Sequence, residues 1–197
     1  MTMPGLSVSV MNAIYHRRSI RSYTATTVDD ARLHAVLEAA VRAPTARHQE
    51  SWAFVIVQDK ALLRKISDTA KAGVAERLRQ HPELGNLHDF SSPDYNIFYN
   101  AGTLILICAK AAADFAPADC WLAAENLMLA AHAMGMGTCV IGLALQAVNG
   151  DMKESLGVPA DMNVMAALIV GEPAEEPPET PRKSPQILRH FRSVPRA

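Results

Sequence analysis

The sequence ADCWLAAENLMLAAHAMGMGTCVIG, residues 118–142, sets the architecture of the whole chain. Ala and Leu dominate residues 118–134 and polar side chains are few, which predicts a long helix that is buried on most of its sides. Gly135 and Gly137 are predicted to end this helix, and residues 138–142 predict a short strand. A helix buried on most sides needs other elements around it, so we expect it to lie at the centre of the fold.

Three further apolar runs predict strands. They are WAFVIV at 52–57, TLILICA at 103–109 and the run at 163–170. Continuous apolar strands of this kind are buried on both faces and need helices on both sides. The sequence therefore predicts an α/β (α+β) fold, a three-layer sandwich in which a mixed central sheet lies between helices, and antiparallel pairing within the sheet remains open.

Capping residues and apolar spacing predict the other helices. Thr27 with Asp30 forms a variant of the capping box for a helix that ends before Pro44. Asp59 is placed to cap a further helix, and Pro and Gly interrupt residues 72–96, so we expect a mobile excursion or a lid there. Shorter helical segments are predicted after Ser9 and at 151–156.

The chain divides into one domain, residues 9–171, and an extended C-terminal arm, residues 172–197. The arm is rich in Pro and in acidic residues, a composition that favours an extended chain over an independent core. If the arm is ordered, it crosses the body of the protein or a partner subunit and delivers Arg182 and Lys183 to a distant place. The alternative is a disordered linker.

The composition is that of an ordinary globular protein. The chain has 197 residues, of which 49% are hydrophobic and 20% charged, and its formal net charge is -1. This balance argues against a nucleic-acid partner. No apolar run approaches the roughly 20 residues of a membrane span, and the N-terminus lacks a signal-peptide pattern, so we expect a cytoplasmic protein that binds no membrane. Cys108, Cys120 and Cys139 are odd in number and widely spaced, which predicts neither disulfides nor a metal site.

Residues 16–23, HRRSIRSY, form a basic segment with three guanidinium groups within five positions. Arg17, Arg18 and Arg21 can donate charge-assisted hydrogen bonds to a dianion, and Ser19 adds a neutral donor. On an extended backbone Arg17, Ser19 and Arg21 share one face. The basic segment is therefore a candidate phosphate site, and the alternative is a solvated turn.

Other catalytic signatures are missing from the sequence. There is no P-loop and no GxSxG motif, and Gly135-Met136-Gly137 follows a helix, whereas a dinucleotide fingerprint follows a strand. Cys120 lies near a predicted helix N-terminus, where a thiolate would be stabilised. His132 is twelve positions away on the same helix and cannot reach it, so we interpret Cys120 as a buried structural residue.

With these elements in order, the chain resembles the nitroreductase family of FMN-dependent oxidoreductases from about Tyr15 to Lys183. Three motifs carry the resemblance: RRSIRSY at 17–23, APTARHQESWAFVIV at 43–57 and AAENLMLAAHAMGMGTCVIG at 123–142. Their order and separation make the combination informative, although each is weak alone. The resemblance implies a homodimer with two FMN molecules at the subunit interface.

The resemblance also implies which residues contact FMN. The basic segment and the basic pair of the arm would hold the phosphate and ribityl chain, and the 44–51 loop and the strand after the long helix would lie near the ring. The implied residues are Arg17, Arg18, Ser19, Arg21, Pro44, Thr45, His48, Glu50, Val140, Ile141, Gly142, Arg182 and Lys183. His48, Glu50 and Ser51 replace the Asn, Gln and Pro of the family pattern, and a carboxylate such as Glu50 is unfavourable beside an anionic reduced flavin.

The implied activity is hydride transfer from NADH or NADPH to FMN, followed by reduction of a small flat acceptor such as a nitroaromatic or a quinone. The flavin carries the chemistry, so no side chain is assigned a catalytic role. Two alternatives stay open: another flavin reaction on the same fold, such as dehydrogenation or dehalogenation, and a flavin-binding module without catalysis.

Overall fold

A four-stranded sheet forms the middle layer of the protein. The computed structural model describes residues 8–81, 83 and 90–192. The strands are β1 (Trp52–Val57), β2 (Thr103–Lys110), β3 (Gly137–Val140) and β4 (Met162–Gly171). Their spatial order is β1-β2-β4-β3, and all neighbouring pairs are antiparallel. Each strand begins and ends within two residues of its predicted bounds.

Helices cover both faces of this sheet. They are α1 (Val10–His16), α2 (Asp30–Ala40), α3 (Lys60–Gln80), α4 (Ala116–Ala133), α5 (Gly142–Ala147) and α6 (Gly150–Ser155). Alternate residues of β2 serve the two cores: Leu104 and Leu106 pack on the side of α3 and α5, whereas Ile105 and Ile107 pack on the side of α2 and α4. The predicted three-layer α/β (α+β) sandwich is confirmed.

The sheet contains less parallel strand pairing than the mixed sheet that the sequence predicted. Among the described residues, parallel pairing is limited to an isolated bridge between Ser19 and Thr138. The segment between β1 and β2 returns the chain antiparallel, as the sequence left open, because it does not form a simple crossover.

Helix α4 occupies the centre of one layer, as predicted. Cys120, Ala123, Ala124 and Leu127 are fully buried against the sheet and α2. Trp121 is partly exposed on another side of the helix, which leaves one flank of α4 open. No helix in the described ranges combines the length and the apolar character that crossing a bilayer requires.

The prediction of an excursion from residue 72 was wrong for its first part, because α3 continues to Gln80. Asp59 caps this helix by accepting the Leu62 N–H at 2.7 Å, as expected. Gly73 interrupts the apolar pattern, but one exposed glycine weakens a helix without ending it. Residues 82 and 84–89 of the predicted lid lie outside the described residues.

Two smaller differences concern helix starts. The side chain that caps α2 is Asp29, whose Oδ1 accepts the Arg32 N–H at 2.9 Å, and the predicted cap Thr27 lies outside the helix. Helix α5 was not predicted, because Gly142 reads as the end of a strand and the preceding Ile141 offers no capping side chain.

Candidate cofactor site

The basic segment runs extended along the open edge of β3. The Ile20 N–H donates to the Thr138 carbonyl oxygen at 3.0 Å, next to the parallel bridge at Ser19. Further along, the Thr24 N–H donates to the carbonyl oxygen of Glu172, just beyond β4, at 3.1 Å. The segment thus covers the sheet edge and is fixed by the backbone.

Two buried side chains dock the basic segment on paired glycines. Gly137 of β3 lies opposite Gly171 of β4, and Ile20 and Tyr23 pack over them. A Cβ at Gly137 would lie 2.6 Å from Ile20 Cγ1, and a Cβ at Gly171 would lie 3.0 Å from Tyr23 Cδ1. The interpretation of Gly137 as a helix stop was therefore wrong, since Gly135, with φ 76°, follows the helix end and Gly137 makes room for Ile20.

Arg17 and Arg18 line a cavity of about 550 Å³ between α1, the end of α4 and the start of the arm. Arg17 Nε and Thr138 Oγ1 are buried there without a hydrogen-bond partner among the described residues. Arg17 Nε lies 3.7 Å from Glu125 Oε1, and Arg18 Nη2 lies 3.3 Å from Glu179 Oε1. Buried unsatisfied donors on a cationic wall suit the oxygens of a phosphate group.

His16 and His132, to which the sequence assigned no role at the phosphate site, line the same cavity. Burial lowers the pKa of His132, and interactions with His16 and the Arg17 guanidinium lower it further, while Glu176 acts in the opposite direction. His132 follows Glu125 by seven residues on α4, so both lie on one helix face. The seven-residue spacing from Glu125 could have indicated that His132 lies at this site, but only with the knowledge that Glu125 faces the basic segment.

Arg21 lines a separate, smaller cavity of about 230 Å³. Its neighbours there include Tyr95 and Tyr99, whose rings meet edge to face with centroids 6.5 Å apart. Burial, aided by Tyr99, raises the pKa of Tyr95 to about 12, so its phenol stays protonated at neutral pH and can donate a hydrogen bond. Tyr95 was missed because it falls within residues 72–96, which were interpreted as a lid, and Tyr99 lies just after that segment and carries no motif. The lining is completed by Ser22, Tyr23, Asp94, Asn96 and Asn100.

The 44–51 loop has a strained backbone and lies apart from both cavities. Arg47, His48 and Glu50 have left-handed φ values of 55°, 53° and 43°, which is uncommon for residues other than glycine. Pro44, His48 and Glu50 are exposed. Within the described part of one chain, no residue of this loop lines the cavity of Arg17 or that of Arg21.

Glu50 and Ser51 face a third cavity of about 520 Å³, which Lys110 also lines. The Glu50 N–H donates to Thr45 Oγ1 at 3.3 Å and closes the loop on itself. In a single chain, the loop residues expected near the flavin ring therefore do not line the cavities of the residues expected at the phosphate.

The segment 140–142 starts at the last residue of β3, two residues after Thr138, which pairs with the basic segment. Ile141 is buried and donates its N–H to the Ala167 carbonyl oxygen at 2.9 Å. Val140 is half-buried and Gly142 is exposed. A Cβ at Gly142 would meet nothing within 4 Å, so packing inside this chain does not require a glycine there.

The arm begins at the basic segment and then leaves it. The Ala174 N–H donates to the Ser22 carbonyl oxygen at 2.9 Å, and Glu179 reaches Arg18. Arg182 and Lys183 are exposed and do not line the cavity of Arg17.

The cysteines are buried thiols. Cys120 is fully buried, and burial, aided by Cys108 and Asp119, raises its pKa to about 12, which confirms its interpretation as structural. Cys108 and Cys139 also lie in the core. None of the three is poised to form a thiolate.

This fold, with a basic segment along its sheet edge, is that of the nitroreductase family: the family model matches residues 14–172, and the chain belongs to this family. The FMN reductase (NAD(P)H) of Bacillus subtilis strain 168 is 28% identical over 193 residues, which cover 92% of this chain and 72% of the relative. A nitroreductase with bound FMN from Bacteroides fragilis NCTC 9343 superposes with a TM-score of 0.77 and 27% identity over 94% of this chain and 99% of the other.

A third similarity concerns the fold alone. Iodotyrosine deiodinase, in a crystal structure with FMN and 3-iodo-L-tyrosine, superposes with a TM-score of 0.72 but only 19% identity, over 93% of this chain and 100% of the other. One fold therefore serves different reactions, and the choice between them depends on the site.

Proposed function

We propose that this protein binds FMN and uses NADH or NADPH to reduce a small flat acceptor such as a nitroaromatic or a quinone. The observation that carries this proposal is the docked basic segment, whose Arg17 Nε is buried without a hydrogen-bond partner among the described residues, in a chain of the nitroreductase family. The Bacillus relative is named an FMN reductase and the Bacteroides structure contains FMN, which supports the same cofactor here.

The side chains of the basic segment are assigned to binding. Arg17, Arg18 and Ser19 donate hydrogen bonds to the phosphate, with Arg182 and Lys183 as further cations from the arm. When bound, FMN accepts the hydride and passes electrons on. Arg21, which lines the smaller cavity, would contact the phosphate and ribityl chain from that side. The contacts of Pro44, Thr45, His48, Glu50, Val140, Ile141 and Gly142 with the ring belong to the same proposal.

A homodimer is part of the proposal. The 44–51 loop does not reach the cavities of the basic segment in one chain, and a symmetric pair would let each chain supply this loop to the other. Neighbouring helices α1 and α4 expose an apolar patch that suits a second copy. The patch consists of Val10, Met11, Ile14, Tyr15, Trp121 and Leu122.

The arm completes this assembly. Residues 172–197 would extend from the 9–171 domain and cross the partner, because Ile187, Leu188 and Phe191 are large apolar side chains left exposed on a single chain. We place the protein in the cytoplasm, where NADH and NADPH are available as donors.

Flavin binding and turnover test the proposal together. The purified protein should bind FMN more tightly than riboflavin, which lacks the phosphate, and it should then oxidise NADH or NADPH with quinones or nitroaromatics. Equal affinity for FMN and riboflavin would remove the assigned role of the basic segment. Slow turnover with these acceptors but release of halide from a halogenated phenol would favour the dehalogenation that the loop residues His48, Glu50 and Ser51 leave open.

A further inference from the structure

Asp119 is a buried carboxylate that the proposed flavin contacts do not use. It lies in the first turn of α4 and is only 5% exposed. Its Oδ1 and Oδ2 accept the Ala46 N–H at 3.2 and 3.3 Å. Ala46 starts the helical turn Ala46–His48 inside the 44–51 loop, so this carboxylate connects the central helix to the loop.

A buried carboxylate is costly unless its charge is stabilised. The ion pairs of the described residues do not include one with Asp119. The N-terminal end of α4 offers a favourable dipole, and the Ala46 N–H supplies a donor. The stability of the carboxylate and the position of the loop therefore depend on each other.

A second polar side chain of α4 holds the chain just before the loop. Asn126 Nδ2 donates to the Ala39 carbonyl oxygen, in the last turn of α2, at 3.2 Å. Asn126 follows Asp119 by seven residues, so both lie on one face of α4. Through these two side chains, one face of α4 holds both the end of α2 and the start of the 44–51 loop.

The backbone after Ala46 needs such an anchor. Arg47, His48 and Glu50 all adopt left-handed φ values, which cost free energy in residues with a Cβ and persist only where surrounding contacts hold them. The contact with Asp119 lies directly before this run. It therefore sets the direction in which the strained residues leave the core.

We propose that Asp119 is a positioning residue that, through the Ala46 N–H, holds the 44–51 loop in the form that presents Thr45, His48 and Glu50 to the flavin. Its effect on flavin binding rests on the proposed FMN function. Its effect on the loop does not, and the two can be measured separately.

The flavin readout compares two substitutions of the same residue. Asp119→Ala removes the acceptor, and we expect the FMN dissociation constant to rise about tenfold with a changed visible spectrum of the bound flavin. Asp119→Asn keeps an acceptor oxygen of the same shape and should stay within about threefold of the wild type. Asp114→Ala is the matched control, because it removes an exposed carboxylate just before α4.

The donor side gives an independent variant. Ala46→Pro removes the N–H and places the proline ring where the hydrogen stood, beside Asp119. The φ −126° and ψ 148° of Thr45 suit a residue before proline, and the first position of a helical turn accepts proline. If Asp119 acts through this N–H, Asp119→Ala adds less than about twofold to the effect of Ala46→Pro on FMN affinity. Fully additive effects contradict the proposal.

Trypsin tests the loop without flavin. Arg47 is exposed, and in Asp119→Ala we expect cleavage after Arg47 to become about fivefold faster, while cleavage after Arg64 in α3 is unchanged. Ala46→Pro should show the same selective increase in the cleavage rate after Arg47. This variant tests the proposal if Asp119→Ala does not fold. Unchanged cleavage at Arg47, or equal acceleration at both sites, would overturn the role in positioning.

The two readouts also separate this inference from the proposed function. A protein that never binds FMN fails the proposed function, yet a selective change at Arg47 still supports the loop anchor. Normal FMN affinity and an unchanged flavin spectrum in Asp119→Ala overturn the inference while leaving the proposed function intact.

Discussion

Ile20 and Tyr23 stand among the charged residues of the basic segment and are buried over Gly137 and Gly171. A solvated basic turn leaves its backbone and its apolar side chains without such contacts. The segment is instead a docked strand-like element whose polar residues face a cavity. This arrangement explains how a short basic motif in a nearly neutral chain becomes a defined anion site.

Arg17 allows the most direct test of that site. We expect Arg17→Ala to weaken FMN binding by on the order of 1.5 to 3 kcal/mol, the usual loss for a charge-assisted hydrogen bond. Thermal stability of the apo protein should hardly change, because the ion pair with partly exposed Glu125 is long. Arg42→Ala, at an exposed residue that pairs with Glu38, is the control in a flavin fluorescence titration. If Arg17→Ala binds FMN with the affinity of the wild type, the basic segment is exposed surface charge and does not bind the phosphate.

His132 predicts a pH dependence of binding. Burial and nearby cations lower the pKa of His132, so the ring is neutral at neutral pH. A phosphate dianion in the cavity would stabilise the protonated ring and raise this pKa, so binding takes up a proton and tightens as the pH falls. As the pH falls from about 8 to about 5, the affinity of the wild type relative to His132→Gln should rise steadily, because the pKa of the FMN-free ring lies below its usual value and the gain is complete only below that pKa.

The comparison with His132→Gln cancels the titration of the phosphate itself, since the ligand is the same in both proteins. A ratio of affinities that is constant with pH would place the phosphate away from His132.

The sequence predicted Arg17, Arg18 and Arg21 as one group, but the structure separates Arg21 from the other two. Spacing shows which residues share a face of an element, and it does not show which cavity each side chain enters. Thr138 lies in the motif 123–142 but was assigned no contact, and Tyr95 lies in no motif. They reach these cavities through sheet pairing and tertiary packing.

At the scale of elements, continuous apolar runs predicted the strands well, because such runs have few alternatives in a chain of this composition. The ends of the helices were harder to predict. The end of α3 was placed too early because residues 72–80 are mixed and polar and precede Pro82, although the buried side chains of Ile66 and Ala70 support the helix. Short α5 carries no capping signal in the sequence.

The docking of the basic segment on β3 gives a prediction for Gly137. In Gly137→Ala the new Cβ would collide with Ile20, so we expect a loss of roughly 1 to 3 kcal/mol in unfolding free energy, as for other overpacked sites, and weaker FMN binding. Gly73→Ala is the matched control, because its Cβ meets nothing within 4 Å and alanine favours a helix. Thermal unfolding measures both variants. Equal melting temperatures for Gly137→Ala and the wild type would contradict the docking.

At the scale of the whole molecule, the fold was predictable from one chain and the site was not. Buried runs and amphipathic helices specify the layers locally. The basic segment and the 44–51 loop lie apart in one chain, so no pattern within the sequence shows how they meet. Only the family resemblance connected them.

The proposed dimer predicts that Trp121→Glu disrupts both assembly and flavin binding. Trp121 is partly exposed on α4, and a carboxylate in an apolar interface is unfavourable. Light scattering should show a dimer for the wild type and a monomer for the variant, with FMN affinity lost in parallel. Lys65→Glu, on the exposed side of α3, is the control. A monomeric wild type that binds FMN fully would rule out a shared site.

Anaerobic titration of the FMN-loaded protein with NADH and then NADPH tests whether this chain is a nicotinamide-dependent flavin oxidoreductase. We predict that the visible flavin absorption bleaches with about one nicotinamide per bound flavin and returns when a quinone is added. A protein that stays colourless with added FMN, or a bound flavin that neither nicotinamide reduces, would contradict this function.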